Sequence, residues 1–249
     1  MQIRKEKTDE VRDIRHDRAQ LLTENNNFFI REAYKTLRTN VMFAITDEVK
    51  SRVVMVTSSM PSEGKSTTSV NLAISLADAG KKTLLIDCDL RKPRVARLLN
   101  LRNKTGLSDT LFQEENEQLP LAQVQGRELY VMTSGSIPPN PSELLGSGRM
   151  RRLLEKLREQ FDYIVLDTPP VNVVTDAVVL SPYTDGTVLV VRRGHTETKA
   201  LDHAVDQLQR VDAKILGFAM NGVELKRPGA YGGKKYGYGY GYGYGEEEK

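Results

Sequence analysis

The chain has 249 residues, 39% apolar and 28% charged, with a formal net charge of +3. That length suits one substantial α/β domain with short appendages, and so slight a charge does not indicate a nucleic-acid partner. No apolar run approaches the ~20 residues that cross a bilayer, the charged N-terminus lacks a signal-peptide core, and one cysteine excludes an internal disulfide, so a cytoplasmic location is expected.

Residues 1–29 carry many charges of both signs and few apolar groups, and are expected to be mobile or loosely docked. The main domain is expected over residues 30–225. Its first element is a helix, because Ile30, Ala33, Tyr34, Leu37 and Val41 fall at helical spacing. On another face Glu32, Lys35 and Arg38 follow at intervals of three, where they either pair locally or meet the complementary row of another subunit.

Residues 53–71 form the strand, phosphate loop and helix of a nucleotide site. Gly64, Lys65, Ser66 and Thr67 open the helix. Successive backbone N–H groups and the helix N-terminus polarise the loop, Lys65 adds a full charge, and Ser66 offers a hydroxyl to Mg²⁺. Ser59 occupies the position that usually holds Gly or Ala. The helix reaches Ala79 and is closed by Gly80.

A buried strand over 83–86 then runs into Asp87, Cys88 and Asp89, with Cys88 read as a small buried hydrophobe. Two acids at a strand's carboxyl end lie where open α/β sheets bind ligands, one serving a metal and the other a proton. Alternatively the turn uses Asp to cap the next helix, which has Pro93 in its first turn. Helices over 94–99 and 107–112 and a strand over 129–133 precede a loop, 134–145, whose three prolines make it rigid and non-helical, either the rim of a site or a linker.

A helix over 150–161 and an apolar strand over 163–166 lead to Asp167, placed as a second carboxylate for Mg²⁺. Strands over 187–191 and 215–220 flank a helix over 197–211. Asn221 ends the last strand, as an adenine-recognising or a turn residue. Six strands alternating with helices give the predicted fold class: α/β, P-loop NTPase-like, a mostly parallel sheet covered by helices on both faces.

Residues 226–249 are mostly Gly and Tyr, without a core-forming aliphatic side chain, and are expected to be disordered. Six of the ten tyrosines lie there: Tyr231, Tyr236, Tyr238, Tyr240, Tyr242 and Tyr244. A Mg²⁺-nucleotide site beside repeated phenols suggests a phosphoryl donor and its own acceptors. Asp87 is then the base, Lys65 the charge at the leaving oxygen, and Asp89 and Asp167 the metal carboxylates. Five cations face three acids from Lys226 onward. Phosphates at roughly −1.5 to −2 each would reverse that balance, and like-charge repulsion is expected to expel the tail and loosen subunit contacts.

These motifs resemble those of bacterial tyrosine kinases of the cytoplasmic capsule or exopolysaccharide type. The matching stretches are Walker A at 59–67, Walker A′ at 84–91, Walker B at 164–170, the Pro-Pro-Asn-Pro-Ser-Glu-Leu-Leu segment at 138–145, and the tyrosine cluster. The resemblance implies the fold of MinD and ParA-like ATPases, with ATP and Mg²⁺ as cofactors and ATP contacts from Ser59, Glu63, Gly64, Lys65, Ser66 and Thr67. It also implies autophosphorylation between subunits of a ring, protein substrates in polysaccharide synthesis, and recruitment to the inner face of the membrane by a membrane-spanning activator.

In such kinases a Glu-x-x-Arg-x-x-Arg helix forms the ring contact; here it reads Glu32, Lys35, Arg38, without the planar fork at the middle position. Met60 stands where MinD and ParA relatives carry a signature lysine, which argues against a dimer-forming partitioning ATPase. Ser62 replaces a glycine common in the kinase loop, a change that requires the position not to need positive φ. The competing functions are a MinD/ParA-like ATPase without kinase activity and a non-enzymatic assembly module with a structural nucleotide.

Overall fold

Strands buried on both faces need near-continuous apolar runs, and four such runs form the centre of a seven-stranded sheet. A computed structural model describes residues 18–23, 26–45, 51–112 and 118–223. The strands are β1 (Arg52–Ser58), β2 (Thr83–Asp87), β3 (Leu121–Gln123), β4 (Leu129–Met132), β5 (Tyr163–Asp167), β6 (Gly186–Arg192) and β7 (Ile215–Asn221), in spatial order β3-β4-β2-β5-β1-β6-β7. All neighbours are parallel except β3 and β4. β3 is absent from the six strands read from the sequence. It is a three-residue antiparallel edge beside Pro120, too short to show a period.

The helices are α1 (Phe28–Ala44), α2 (Lys65–Asp78), α3 (Val95–Leu98), α4 (Leu107–Phe112), α5 (Pro141–Leu145), α6 (Gly148–Arg158), α7 (Asp176–Leu180) and α8 (Thr198–Gln209). On one sheet face α6 and α8 bury Leu153, Leu157, Ala204 and Leu208 against Met55, Ile86 and Leu166. On the other, α2 lies between the sheet and α1 and is buried almost throughout. Its small residues, Ser69, Ala73 and Ala77, allow close approach, while Leu72 and Leu76 are fully buried and contribute roughly 1.5–3 kcal/mol each. Asn27 caps α1 by accepting from the Phe29 N–H at 2.9 Å, and Val41 is buried beneath it.

Two expectations change. The described N-terminal residues 18–23 are docked, not loose: Leu22 is buried, its N–H donates to Asn71 Oδ1 at 2.8 Å, and Asn71 donates back to the Gln20 carbonyl at 3.0 Å. The reason is the polar Asn71 inside α2, a buried amide that needs both partners. The proline loop is not wholly non-helical either, because Pro141 sits at the first turn of α5, where a missing N–H costs nothing. Residues 1–17 and the tail 226–249, with Tyr231, Tyr236, Tyr238, Tyr240, Tyr242 and Tyr244, lie outside the described residues. Among the described residues no helix is long and apolar enough to cross a membrane.

Candidate active site

The strand order sets the site. β5 inserts between β1 and β2, so Asp167 at its end lies between the phosphate loop that follows β1 and Asp87, its register partner on β2. Ligands of open α/β sheets bind at this carboxyl edge.

Gly64 has φ 91° and a Cβ there would stand 2.5 Å from Asn221 Nδ2, so any other residue at this position would be strained and would displace the Asn221 amide. Asn221 donates to the Glu63 carbonyl at 2.9 Å and to Thr68 Oγ1 at 3.1 Å, pinning the loop to the end of β7. The Glu63 carboxylate is fully buried and committed within the loop. It accepts from Ser59 Oγ at 2.9 Å, from the Met60 N–H at 2.9 Å and from the Thr196 hydroxyl. The end of β6 and the loop after it brace the outer turn: Arg192 Nη1 donates to the Ser62 carbonyl at 3.0 Å and His195 Nε2 lies 3.3 Å from the Pro61 carbonyl. No motif marks Arg192, His195 or Thr196 in the sequence, because they act on a distant segment, Arg192 and His195 at its backbone carbonyls and Thr196 at the Glu63 carboxylate.

Ser62 has φ 67°, so the position does adopt the left-handed conformation that its replacement of glycine was expected to avoid. The bracing carbonyl contact holds it there against a cost of roughly 1–2 kcal/mol. Ser62→Gly is expected to stabilise the protein by about 0.5–1 kcal/mol after the added freedom of the unfolded chain is subtracted. A urea midpoint at or below that of the wild type would show that the turn carries no strain.

Lys65 Nζ donates to Asp89 Oδ2 at 2.9 Å, lies 3.3 Å from Ser66 Oγ and stands 4.0 Å from Asp167 Oδ1. Burial works against its charge, but the Asp167 and Asp89 carboxylates overcome this and raise its pKa. Burial likewise pushes Asp89 up, yet the Lys65 ammonium and backbone N–H groups hold it below the ordinary carboxylate value. For Asp87 burial and the neighbouring Asp167 charge raise the pKa well above that value. Asp167 is raised by burial despite Lys65.

Asp87 accepts from the Asp89 N–H at 3.2 Å and the Val95 N–H at 3.1 Å, so it also takes the capping role of the alternative reading, at the start of α3. Asp167 Oδ1 accepts from Ser69 Oγ at 3.0 Å, whereas its Oδ2 is buried without a hydrogen-bond partner. An orphaned carboxylate oxygen beside a lysine and a loop hydroxyl suits a hard cation with its water. Among the described residues no three acids or imidazoles converge into a metal cage. Mg²⁺ carried on nucleotide phosphates needs only one or two protein ligands, so Ser66 and Asp167 fit that ion. Asp89 sits on Lys65 in this state.

Arg91, the last residue of the Walker A′ stretch, donates from Nε and Nη2 to both oxygens of Asp176 at 3.0 Å and from Nη2 to Ser142 Oγ at 3.0 Å. Ser142 Oγ also donates to Asp176 Oδ1 at 2.5 Å. The proline segment is therefore clamped to Arg91 and to the start of α7 through a fully buried Asp176. Arg91→Lys removes the fork and is expected to destabilise the protein by about 1–2 kcal/mol, read as a lower urea midpoint; an unchanged midpoint would show that a single contact suffices.

The row on α1 does not stand free. Lys35 pairs with Glu32 at 2.6 Å, and Arg38 donates to the Ser75 carbonyl at 2.8 Å, tying α1 to α2. Cys88 is buried as expected.

A glycine-gated phosphate loop, its lysine and carboxylates on two adjacent strand ends define a P-loop nucleotide-binding α/β domain. The model of the AAA domain family matches residues 51–215. The tyrosine-protein kinase YwqD of Bacillus subtilis is 43% identical over 201 residues, covering 81% of this chain and 84% of that protein. A tyrosine-protein kinase of Acinetobacter johnsonii is 33% identical over 209 residues, and the chain spans only 28% of that longer protein. The solved kinase domain of the Escherichia coli tyrosine kinase ETK superposes with a TM-score of 0.72 at 34% identity, covering 84% of this chain and 80% of that one. MinD of Pyrococcus horikoshii, solved with Mg-ADP, shares the fold alone, at 20% identity and a TM-score of 0.56 over 68% of this chain and 69% of its own. The chain belongs to the bacterial tyrosine-protein kinase family.

Proposed function

We propose that this chain is an ATP-dependent protein tyrosine kinase that phosphorylates Tyr231, Tyr236, Tyr238, Tyr240, Tyr242 and Tyr244 of its own tail, between subunits. The carrying observation is the Lys65 ammonium held between Asp89 and Asp167 at the mouth of the phosphate loop, beside the unpartnered Asp167 Oδ2. Gly64, Lys65, Ser66 and Thr67 present N–H groups and charge to the nucleotide phosphates, Ser59 and Glu63 hold the loop's shape, and Asn221 secures the side where the base would lie. Mg²⁺, held by Ser66 and Asp167 with Asp89 nearby, would neutralise charge on the phosphate oxygens.

In the transfer the tyrosine oxygen bonds to the γ-phosphorus, the bond from that phosphorus to the β-phosphate oxygen breaks, and ADP leaves. The phenolic proton passes to Asp87, whose pKa burial and the Asp167 charge raise well above the ordinary carboxylate value, which makes it a stronger base. Two backbone N–H groups fix its carboxylate without exhausting its lone pairs.

The family also supports a homo-oligomeric ring built on Glu32, Lys35 and Arg38, a membrane-spanning activator, recruitment to the inner membrane face, and protein substrates in capsular or exopolysaccharide synthesis. The local pairing of Lys35 and the docking of Arg38 mean that ring assembly would have to redirect both. Mass-spectrometric mapping of tail phosphate for the wild type and Lys65→Met, each with and without a tail-less copy, tests the reading. Wild-type protein is expected to gain tail phosphate and Lys65→Met to gain it only when mixed with the tail-less wild-type enzyme. Free phosphate without tail labelling would favour the ATPase, and no turnover the assembly module.

A further inference from the structure

Residues 90–108 contain six cations, Arg91, Lys92, Arg94, Arg97, Arg102 and Lys104, and no acid, although the whole chain carries only +3. Arg91 is committed to Asp176. The turn after it places Lys92, Pro93, Arg94, Ala96, Arg97 and Asn103 around an open cavity of about 550 Å³. Arg18 packs on the same segment by donating to the Arg97 carbonyl at 2.7 Å and to Asn100 Oδ1 at 3.3 Å. The cavity abuts the reaction centre along the chain, since the Lys92 N–H donates to Asp89 Oδ1 at 2.9 Å. The nucleotide site described above uses none of these cationic side chains.

We propose that this cavity binds phosphotyrosine, and that its occupant is the phosphorylated tail of this protein. Guanidinium and ammonium groups suit the dianion, and Pro93 and Ala96 offer an apolar wall to the phenyl ring. A concave pocket holds one aryl phosphate better than it meets a flat lipid surface. The unmodified tail, with five cations against three acids, is repelled by the cavity and becomes complementary to it only after phosphorylation. Phosphorylation therefore captures the tail beside Asp89, the opposite of the expulsion expected from like-charge repulsion alone.

This inference rests on the kinase reading for the origin of the phosphate, so the test supplies the phosphate chemically. A fluorescent Tyr-Gly repeat peptide bearing one phosphotyrosine, and its unmodified twin, are titrated by anisotropy into the full chain with all six tail tyrosines changed to Phe. The phosphopeptide is expected to bind at least about tenfold more tightly, with an affinity that falls as salt rises. Lys92→Ala, and separately the triple variant Lys92→Ala/Arg94→Ala/Arg97→Ala, should lose that preference while keeping the wild-type thermal midpoint and ADP binding. The single variant decides the question if the triple one fails to fold.

Equal binding of the two peptides, or full retention of the preference in Lys92→Ala, overturns the proposal. So does recruitment to phosphatidylglycerol vesicles through these cations without phosphopeptide binding. Absence of tail phosphate in the mass mapping would count against the kinase reading and leave the peptide titration to decide the cavity.

Discussion

Asp167→Asn is expected to raise the thermal midpoint of the ligand-free protein at neutral pH while removing its phosphotransfer activity. Burial lifts the carboxylate's pKa in the folded state despite Lys65, so above the ordinary value of 3.8 the folded protein bears the cost of a buried charge, or of the proton that replaces it, which the unfolded chain does not. Stability from such a group is greatest below the ordinary value of 3.8 and is lost as pH rises through the folded value. Asp87 is displaced in the same direction, so the ligand-free wild type should be more stable in mild acid than at neutrality. Asparagine keeps an acceptor for Ser69 and removes the charge, which flattens that slope.

The cost appears on adding Mg²⁺ and ADP. Wild-type protein gains stability by mass action, while the variant, lacking the carboxylate oxygen that has no partner, should gain only the part due to nucleotide. Scanning calorimetry from pH 5 to 8, with and without Mg²⁺-ADP, reads both effects. Equal Mg²⁺-dependent shifts in the two proteins would remove Asp167 from the metal site.

Lys65→Met should have the largest effect on both rate and stability. Loss of a charge aimed at developing phosphate charge costs about 10²–10³ in rate. In the ligand-free protein the substitution also strands Asp89 and Asp167 without their cation, and breaking a buried pair in this way costs roughly 3–5 kcal/mol. The sign follows from both partners. Asp89, held low, contributes stability present above 3.8 and lost as pH falls through its folded value. Lys65, held high, contributes stability present below 10.5 and lost as pH rises through its folded value. The difference between wild type and variant is thus full between those limits and shrinks outside them. Denaturant titrations at pH 3, 7 and 11 check this; a constant difference would mean that the methionine acts through packing.

Much of the fold is legible locally. The runs at 53–56, 84–86 and 163–166 are buried without alternation, as strands with both faces covered must be, and Gly64 marks a phosphate loop because its positive φ disfavours a Cβ. Helices α6 and α8 follow their spacing to within two or three residues. The edge strand β3 and the docked residues 18–23 escaped this reading because neither has a period of its own: one is fixed by pairing with β4 and the other by the amide of Asn71.

Sequence alone determined the chemistry available to this protein: a phosphate loop, three candidate carboxylates, and tyrosines in numbers that suggest acceptors. These are statements about residue type and spacing, which chain order preserves. Only the tertiary structure decided how the parts are used, because that depends on which distant segments become neighbours. Inserting β5 between β1 and β2 brings Lys65 to Asp89 and Asp167; Arg91 reaches Asp176 and Ser142 across two further loops; and Lys92, Arg94 and Arg97, merely a basic stretch in the sequence, surround a cavity next to the carboxylate that Lys65 holds.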